Sequence, residues 1–204
     1  MLKQTHIHFV RHGYVHNPNK ILYGRLPRFR LSTQGINQAR AAANHCANCS
    51  ITQIYTSPML RARQTAAIIA EPHALHVSQS SLLNEILTSY QGHPLTELEK
   101  IDWEFYTNVQ PPYETPDDIV KRVKAFFTFA RKRHPNQEVI GVTHGDIVCY
   151  AMIWSLGLPL TGQSKRKIVE LGTDGYPATA SITTFEFQTD DPDEVPTFTY
   201  VKPY

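Results

Sequence analysis

Two histidine-glycine pairs hold the chemistry most plainly within reach of this 204-residue chain. Arg11-His12-Gly13 and Thr143-His144-Gly145 each follow a short apolar run. A histidine offers a nitrogen nucleophile or base, and the neighbouring Arg11 offers a planar cationic fork. Glycine lets the backbone turn sharply and lets a ligand approach closely. A third segment, Ser57-Pro58-Met59-Leu60-Arg61, reads as a strand-to-helix junction whose free N–H groups favour an anion. Two arginines, two histidines and helix N-termini on one rim would trap a tetrahedral dianion such as phosphate.

The elements that must position these residues follow from the patterning. Residues 5–10 alternate apolar and polar types and predict a strand, as do Ile51–Thr56 and the apolar run Glu138–Thr143. A long loop spans 14–32, and long loops in compact domains are usually functional. Ser32 or Thr33 caps a helix to about Asn48, with Ile36, Ala39, Arg40 and Ala43 at helical spacing. Ser57 as N-cap and Pro58 at the first helical position open a helix to about Ala70. A short strand is read at 73–78, a loop at 82–92 and a short helix near 94–103. A further helix runs from Pro116 to about His134, with Val120, Val123, Phe126, Phe127 and Ala130 facing inward. His144-Gly145-Asp146 leads into a helix to about Leu156. Ile182–Phe187 and Phe198–Val201 are late strands. This alternation predicts a three-layer α/β/α sandwich with a mainly parallel central sheet, where ligands bind beyond the carboxyl ends of strands. Both His-Gly pairs sit at such ends.

Composition narrows the function classes. Hydrophobic residues make up 41% of the chain, enough for a sizeable core, and 204 residues suit one domain. With 20 Lys+Arg against 18 Asp+Glu the net charge is +2, which argues against a dedicated nucleic-acid binder. No run approaches 18 apolar residues, so no membrane span is expected, and the N-terminus lacks the apolar core of a signal peptide. Three cysteines fit a reducing, cytoplasmic setting. Cys46 and Cys49 form a CxxC that no second pair completes into a zinc site, and they read as ordinary thiols. A strand near the C-terminus is the candidate edge for a homodimer.

The ordered set of motifs resembles the histidine phosphatase superfamily, which includes the cofactor-dependent phosphoglycerate mutases. It is carried by Arg11-His12-Gly13, by Tyr23-Gly24 leading into Leu31-Ser32-Thr33-Gln34-Gly35, by Ser57-Pro58-Met59-Leu60-Arg61-Ala62-Arg63-Gln64-Thr65, by Leu83-Asn84-Glu85-Ile86 and by Thr143-His144-Gly145. The resemblance implies two-step phosphoryl transfer to and from a phosphohistidine on His12. Arg11, Arg61 and His144 would bind the phosphoryl oxygens, and Asn17 is assigned beside them. Glu85 would be the proton donor and then the base, with Glu97, Glu99 and Glu104 as nearby alternatives. The family needs no metal and no cofactor, because two guanidiniums and an imidazolium supply the charge. For the attack, the other nitrogen of His12 should donate to a backbone carbonyl. Glu85 should be protonated in the first step, with the phosphate raising its pKa.

The chain departs from the family pattern in places. The sixth residue after His12 is Pro18, with Asn17 one short, where many members carry an asparagine. The loop Tyr23, Gly24, Arg25 onward is basic, and Arg25, Arg28 and Arg30 are candidates to read an anionic substrate tail. Between Glu85 and Asp117 there is one lysine, Lys100, and no arginine, so the second-anion clamp of a mutase is missing. The implied activity is therefore hydrolysis of a small phosphomonoester by a single domain, with residues 90–116 as a cap. Tyr14, Tyr23, Phe29, Tyr90, Trp103, Phe105, Tyr106 and Tyr113 are available for an aromatic mouth. Mutase-type transfer, a non-catalytic phospho-ligand module and a metallohydrolase are the alternatives. The last lacks a ligand cluster beyond His6 and His8.

Overall fold

A computed structural model describes residues 4–171, 173 and 175–204. Six strands form one sheet: β1 (Thr5–Arg11), β2 (Ile51–Thr56), β3 (Val77–Gln79), β4 (Glu138–Thr143), β5 (Ile182–Phe187) and β6 (Thr197–Val201), in the order β3-β2-β4-β1-β5-β6. The pairings β2–β3, β2–β4 and β1–β4 are parallel, while β5 runs antiparallel to both β1 and β6. The fold is thus the α/β sandwich expected from the alternation of elements, with an antiparallel edge added at the end of the chain.

Side-chain alternation divides the core in two. On β1, Ile7 and Phe9 enter one apolar cluster and Val10 enters the other. Helices α4 (Pro116–Arg133) and α5 (Gly145–Ser155) cover the first face, and α1 (Thr33–Cys46) and α2 (Leu60–Ala70) the second. The ring of Phe9 lies 5.0 Å from Phe127, 5.4 Å from Phe185 and 5.6 Å from Phe126. Such pairs each add about 0.5–1.5 kcal/mol beyond simple area burial. The inward residues expected on α4 are all buried. Its start is fixed by a capping box in which Thr115 accepts from the Asp118 N–H and Asp118 accepts from the Thr115 N–H. α5 is buried over Gly145–Ile153, so its sequence is apolar all round rather than amphipathic.

Local differences from the sequence reading have physical causes. Ser32 does cap α1, but Arg40 points to solvent while Gln38 and Ala42 are buried. Helix α2 starts at Leu60 with Met59 at its cap position; Ser57 lies before it, its hydroxyl accepting from the Met59 N–H at 3.3 Å while also bonding Asn84 and His144. Residues 71–73 form a 3₁₀ turn, so β3 begins only at Val77. Helix α3 is short, Leu95–Lys100, and a 3₁₀ segment at Gly162–Leu171 was not expected. Cys46, Cys49 and Cys149 are free; burial, with Cys49 and Glu138 nearby, pushes the Cys46 thiol up to about 12. Among the described residues no helix is long and apolar enough to cross a membrane.

Register does the positioning. Arg11 of β1 pairs with Thr143 of β4, and Val142 pairs with Thr56 of β2. The residues that follow these three strands, His12, His144 and Ser57, therefore emerge side by side at the same end of the sheet.

Candidate active site

His12 leaves β1 with its backbone N–H donating to the Thr143 carbonyl at 3.0 Å. Gly13 follows because a Cβ there would collide with the Gly35 carbonyl at the start of α1, and a Cβ on Gly35 would collide with Tyr14. The two glycines let α1 press against the loop and hold the ring in place. His12 Nδ1 lies 2.8 Å from the Gly13 carbonyl, which makes it the protonated nitrogen and leaves Nε2 with its lone pair. This is the backbone bond the sequence reading required. Full burial, then the charges of Arg61, His144 and Arg11, holds the imidazole pKa well below its usual range. The ring is neutral at pH 7.

Arg61 enters from the first turn of α2 and is 1% exposed. Its Nε donates to His12 Nε2 at 3.0 Å. One terminal nitrogen reaches the Gly24 carbonyl at 2.9 Å, His144 Nδ1 at 3.0 Å and Glu85 Oε2 at 3.3 Å. The ring of Tyr23 stacks 4.6 Å from its guanidinium carbon. His144 Nε2 lies 2.7 Å from Ser57 Oγ. With Nε2 donating to Ser57, Nδ1 is free to accept from Arg61. Burial lowers the His144 pKa to about 4, against the opposing pull of Glu85. Without a phosphate His144 is therefore neutral even with Glu85 Oε2 3.3 Å from its Nδ1, whereas the imidazolium of the sequence reading belongs to the phosphate-bound site.

Glu85 has its own balance of forces when no phosphate is bound. Burial raises its pKa, but His144, Arg61 and the Ile86 N–H together outweigh burial and hold the carboxyl well below the usual carboxylate range. Without a phosphate Glu85 is ionised, because Arg61 has no other anion to bind. Its side chain is 13% exposed and lines the cavity. Glu97, Glu99 and Glu104 do not line it.

The remaining site residues divide. Arg11 lies on the cavity wall, with one terminal nitrogen bonded to the Pro177 carbonyl and its buried Nε unpartnered among the described residues. Asn17 reaches the cavity too, but its amide is used on Ile21: Nδ2 donates to the Ile21 carbonyl at 2.9 Å and Oδ1 accepts from the Ile21 N–H at 3.3 Å. These bonds shape the side chain's own loop and leave the second Nδ2 hydrogen beside the cavity. Tyr23 and Gly24 line the cavity, and Gly24 takes a positive φ of 42°. Arg25 does not. Its Nε donates to the Glu85 carbonyl at 2.7 Å and a terminal nitrogen to Glu114 at 2.7 Å. Arg28 and Arg30 are exposed outside the cavity. In this arrangement the basic loop braces Glu85 through Arg25 and leaves Arg28 and Arg30 in solvent.

The cavity holds about 470 Å³, within the range of small-molecule sites. Tyr23, Trp103 and Phe105 line it, as the aromatic mouth anticipated, while Tyr90 and Tyr113 line a neighbouring cavity of about 290 Å³. One group of metal-ligating atoms lies within 4.8 Å of one another, those of His12, Glu85 and His144. A divalent ion fits them poorly. The Arg61 guanidinium already bonds all three, and Arg11 adds a second positive charge at the same rim.

A family comparison matches residues 7–195 to the histidine phosphatase superfamily, branch 1. The chain belongs to this family. A 170-residue stretch is 36% identical to an uncharacterized protein of Mycobacterium tuberculosis, covering 80% of this chain and 82% of that one. Phosphoserine phosphatase 1 of Hydrogenobacter thermophilus is 33% identical over 123 residues, 56% of this chain and 58% of its own. Among solved structures, a mycobacterial glucosyl-3-phosphoglycerate phosphatase superposes with a TM-score of 0.77 at 22% identity, covering 97% of this chain and 96% of that one. At that identity the likeness shows the fold.

In this histidine phosphatase several site residues escaped the sequence reading. Glu114 binds Arg25, the Leu87 N–H and, through Oε1, Arg122 Nε; Arg122 in turn donates to the Leu82 and Asn84 carbonyls. Arg25, Glu114 and Arg122 thereby clamp the loop that presents Glu85. Thr65 Oγ1 accepts from the Gly13 N–H and donates to the Arg61 carbonyl, tying the His12 and Arg61 segments together. Asp146, Lys165 and Tyr176 complete the cavity wall. Thr65 closes the Ser57–Thr65 motif, Arg25 lay in the basic loop and Asp146 sat beside a motif; Glu114, Arg122, Lys165 and Tyr176 come from segments whose sequence carries no local signal.

Proposed function

We propose that the protein hydrolyses phosphomonoesters without a metal, through a phosphohistidine on His12 Nε2. The observation that carries this reading is the His12 Nδ1–Gly13 carbonyl hydrogen bond at 2.8 Å, which leaves Nε2 unprotonated among Arg11, Arg61 and His144. A phosphoryl group entering the cavity takes over the Arg61 donors now spent on His12 and Glu85, and the unpartnered Nε of Arg11. Nε2 then attacks phosphorus in line as the ester oxygen leaves. The incoming dianion raises the Glu85 pKa, so that Glu85 carries the proton that the leaving oxygen receives. In the second step Glu85 takes a proton from water, water attacks phosphorus, and the P–N bond breaks to return neutral His12 and inorganic phosphate.

The substrate is a small phosphomonoester, and the enzyme works in the cytoplasm as a single domain. Residues 90–116 serve as a cap; Leu95, Trp103 and Phe105 from that segment line the cavity. The test is p-nitrophenyl phosphate hydrolysis between pH 4 and 8, with EDTA, with orthovanadate and with His12→Ala. The expected result is EDTA-resistant, vanadate-sensitive turnover that the variant lacks, with an acid-labile phosphoenzyme trapped in the wild type. Activity that EDTA abolishes, or that His12→Ala retains within tenfold, would overturn the reading.

A further inference from the structure

The cavity contains a charged pair that the transfer reaction leaves unused. Lys165, from the 3₁₀ segment Gly162–Leu171, places Nζ 2.8 Å from Asp146 Oδ1 in the first turn of α5. Both residues line the same cavity as His12 and Arg11, with side chains 17% and 9% exposed. Four rings surround Nζ, those of Tyr106 and Tyr150 at 5.2 Å and of Phe105 and Tyr176 at 5.7 Å. The Tyr176 ring also lies 4.9 Å from the Arg11 guanidinium carbon, so one aromatic ring adjoins both the candidate phosphate site and this pair. Gly145 makes room for it, since a Cβ there would meet the Tyr176 hydroxyl.

An ion pair at a cavity wall is poorly explained by stability, because apolar replacements of buried pairs are often neutral or stabilising. The pair also has hydrogen-bonding capacity to spare. Lys165 uses one of its three N–H donors on Asp146, and the second Asp146 oxygen makes no hydrogen bond among the described residues. The buried hydroxyls of Tyr106 and Tyr150 are unpartnered among the described residues as well.

We propose that Lys165 and Asp146 form a second polar subsite that recognises a neutral, hydroxyl-bearing leaving group, the alcohol of a polyol or sugar phosphate. The choice follows from the pair's neutrality. A carboxylate placed on Lys165 meets the Asp146 charge 2.8 Å away, and an ammonium placed on Asp146 meets Lys165. A hydroxyl donates to Asp146 and accepts from Lys165 while the ion pair stays intact. The carbon skeleton between the hydroxyls lies against Trp103, Phe105 and Tyr176, which supply the apolar lining.

The inference rests on the phosphatase reading, and the test separates the two. Four esters of similar size are compared on the wild type: n-propyl phosphate, glycerol 3-phosphate, 3-phosphoglycerate and phosphoethanolamine. Glucose 6-phosphate is the larger hydroxyl-rich probe. The expected kcat/KM for glycerol 3-phosphate exceeds that for each of the other three by at least tenfold. In the double variant Lys165→Met/Asp146→Asn, which leaves no unpaired buried charge, the ratio of glycerol 3-phosphate to propyl phosphate falls at least tenfold. Equal hydrolysis of all esters, a preference for either charged tail, or an unchanged ratio in the variant would overturn the subsite and leave the phosphatase reading standing. Failure to hydrolyse any ester, p-nitrophenyl phosphate included, would remove both.

Discussion

Arg61 Nε lies 3.0 Å from His12 Nε2, so without ligand the lone pair of the proposed nucleophile is held by the guanidinium proposed to engage the transferred phosphoryl group. The same guanidinium bonds Glu85 and His144. One side chain thus holds His12, Glu85 and His144 in register. Its removal acts on ground state and transition state together. Arg61→Ala is expected to raise KM and lower kcat by about a hundredfold. Arg61→Lys keeps the charge but loses the fork, and should recover less than a tenth of the lost activity. Steady-state kinetics on p-nitrophenyl phosphate check both; a change in KM alone would reduce Arg61 to a simple binding group.

Glu85 gives a different signature. If it protonates the leaving oxygen, its loss matters most where that oxygen is a poor leaving group. Glu85→Gln should slow propyl phosphate hydrolysis by about 10²–10⁴-fold and p-nitrophenyl phosphate much less. The measurement is a leaving-group series, in which the dependence on alcohol pKa steepens in the variant. Equal slowing across the series would assign the proton to another group.

The fold and the site's centre were legible for a local reason. Arg11-His12-Gly13 and Thr143-His144-Gly145 each place a histidine at a strand end, and parallel pairing of Arg11 with Thr143 brings the two motifs to one rim. The clamp around Glu85 was not legible, since Arg25, Glu114 and Arg122 are joined only by the folded chain and each reads alone as a surface charge. Arg25 looked like a substrate reader because its loop is basic; its guanidinium turns inward to Glu114 because that part-buried carboxylate needs partners. Protonation states were beyond the sequence altogether, because they depend on burial that only the fold creates.

Burial of neutral His12 and His144 makes stability depend on pH in a stated direction. Both imidazoles have folded pKa values below the ordinary 6.5, so the unfolded chain binds protons more readily and acid favours unfolding. The His144 contribution is fully present above pH 6.5 and is lost as pH falls from there to about 4, a span worth roughly 3 kcal/mol. Depressed Glu85 adds loss of the same sign below its ordinary value of 4.5. Melting temperature should therefore fall steadily between pH 7 and 4, and His144→Asn should flatten the slope. A wild-type melting curve independent of pH over that range would show that these rings are not buried neutral.

The clamp yields the last prediction. Glu114 accepts from Arg25 at 2.7 Å, Leu87 N–H at 2.7 Å and Arg122 Nε at 2.9 Å, and its side chain is 16% exposed. Glu114→Gln leaves two partly buried guanidiniums without their shared anion and supplies an amide where one acceptor stood. The cost should be about 1–3 kcal/mol of stability, measurable by urea unfolding. Because the clamp holds the Glu85 loop without touching the cavity of His12, KM for p-nitrophenyl phosphate should hold while kcat for alkyl esters falls. The variant's leaving-group dependence should therefore shift toward that of Glu85→Gln. Loss of stability with an unaltered leaving-group series would make the clamp a purely structural device and separate it from the positioning of Glu85.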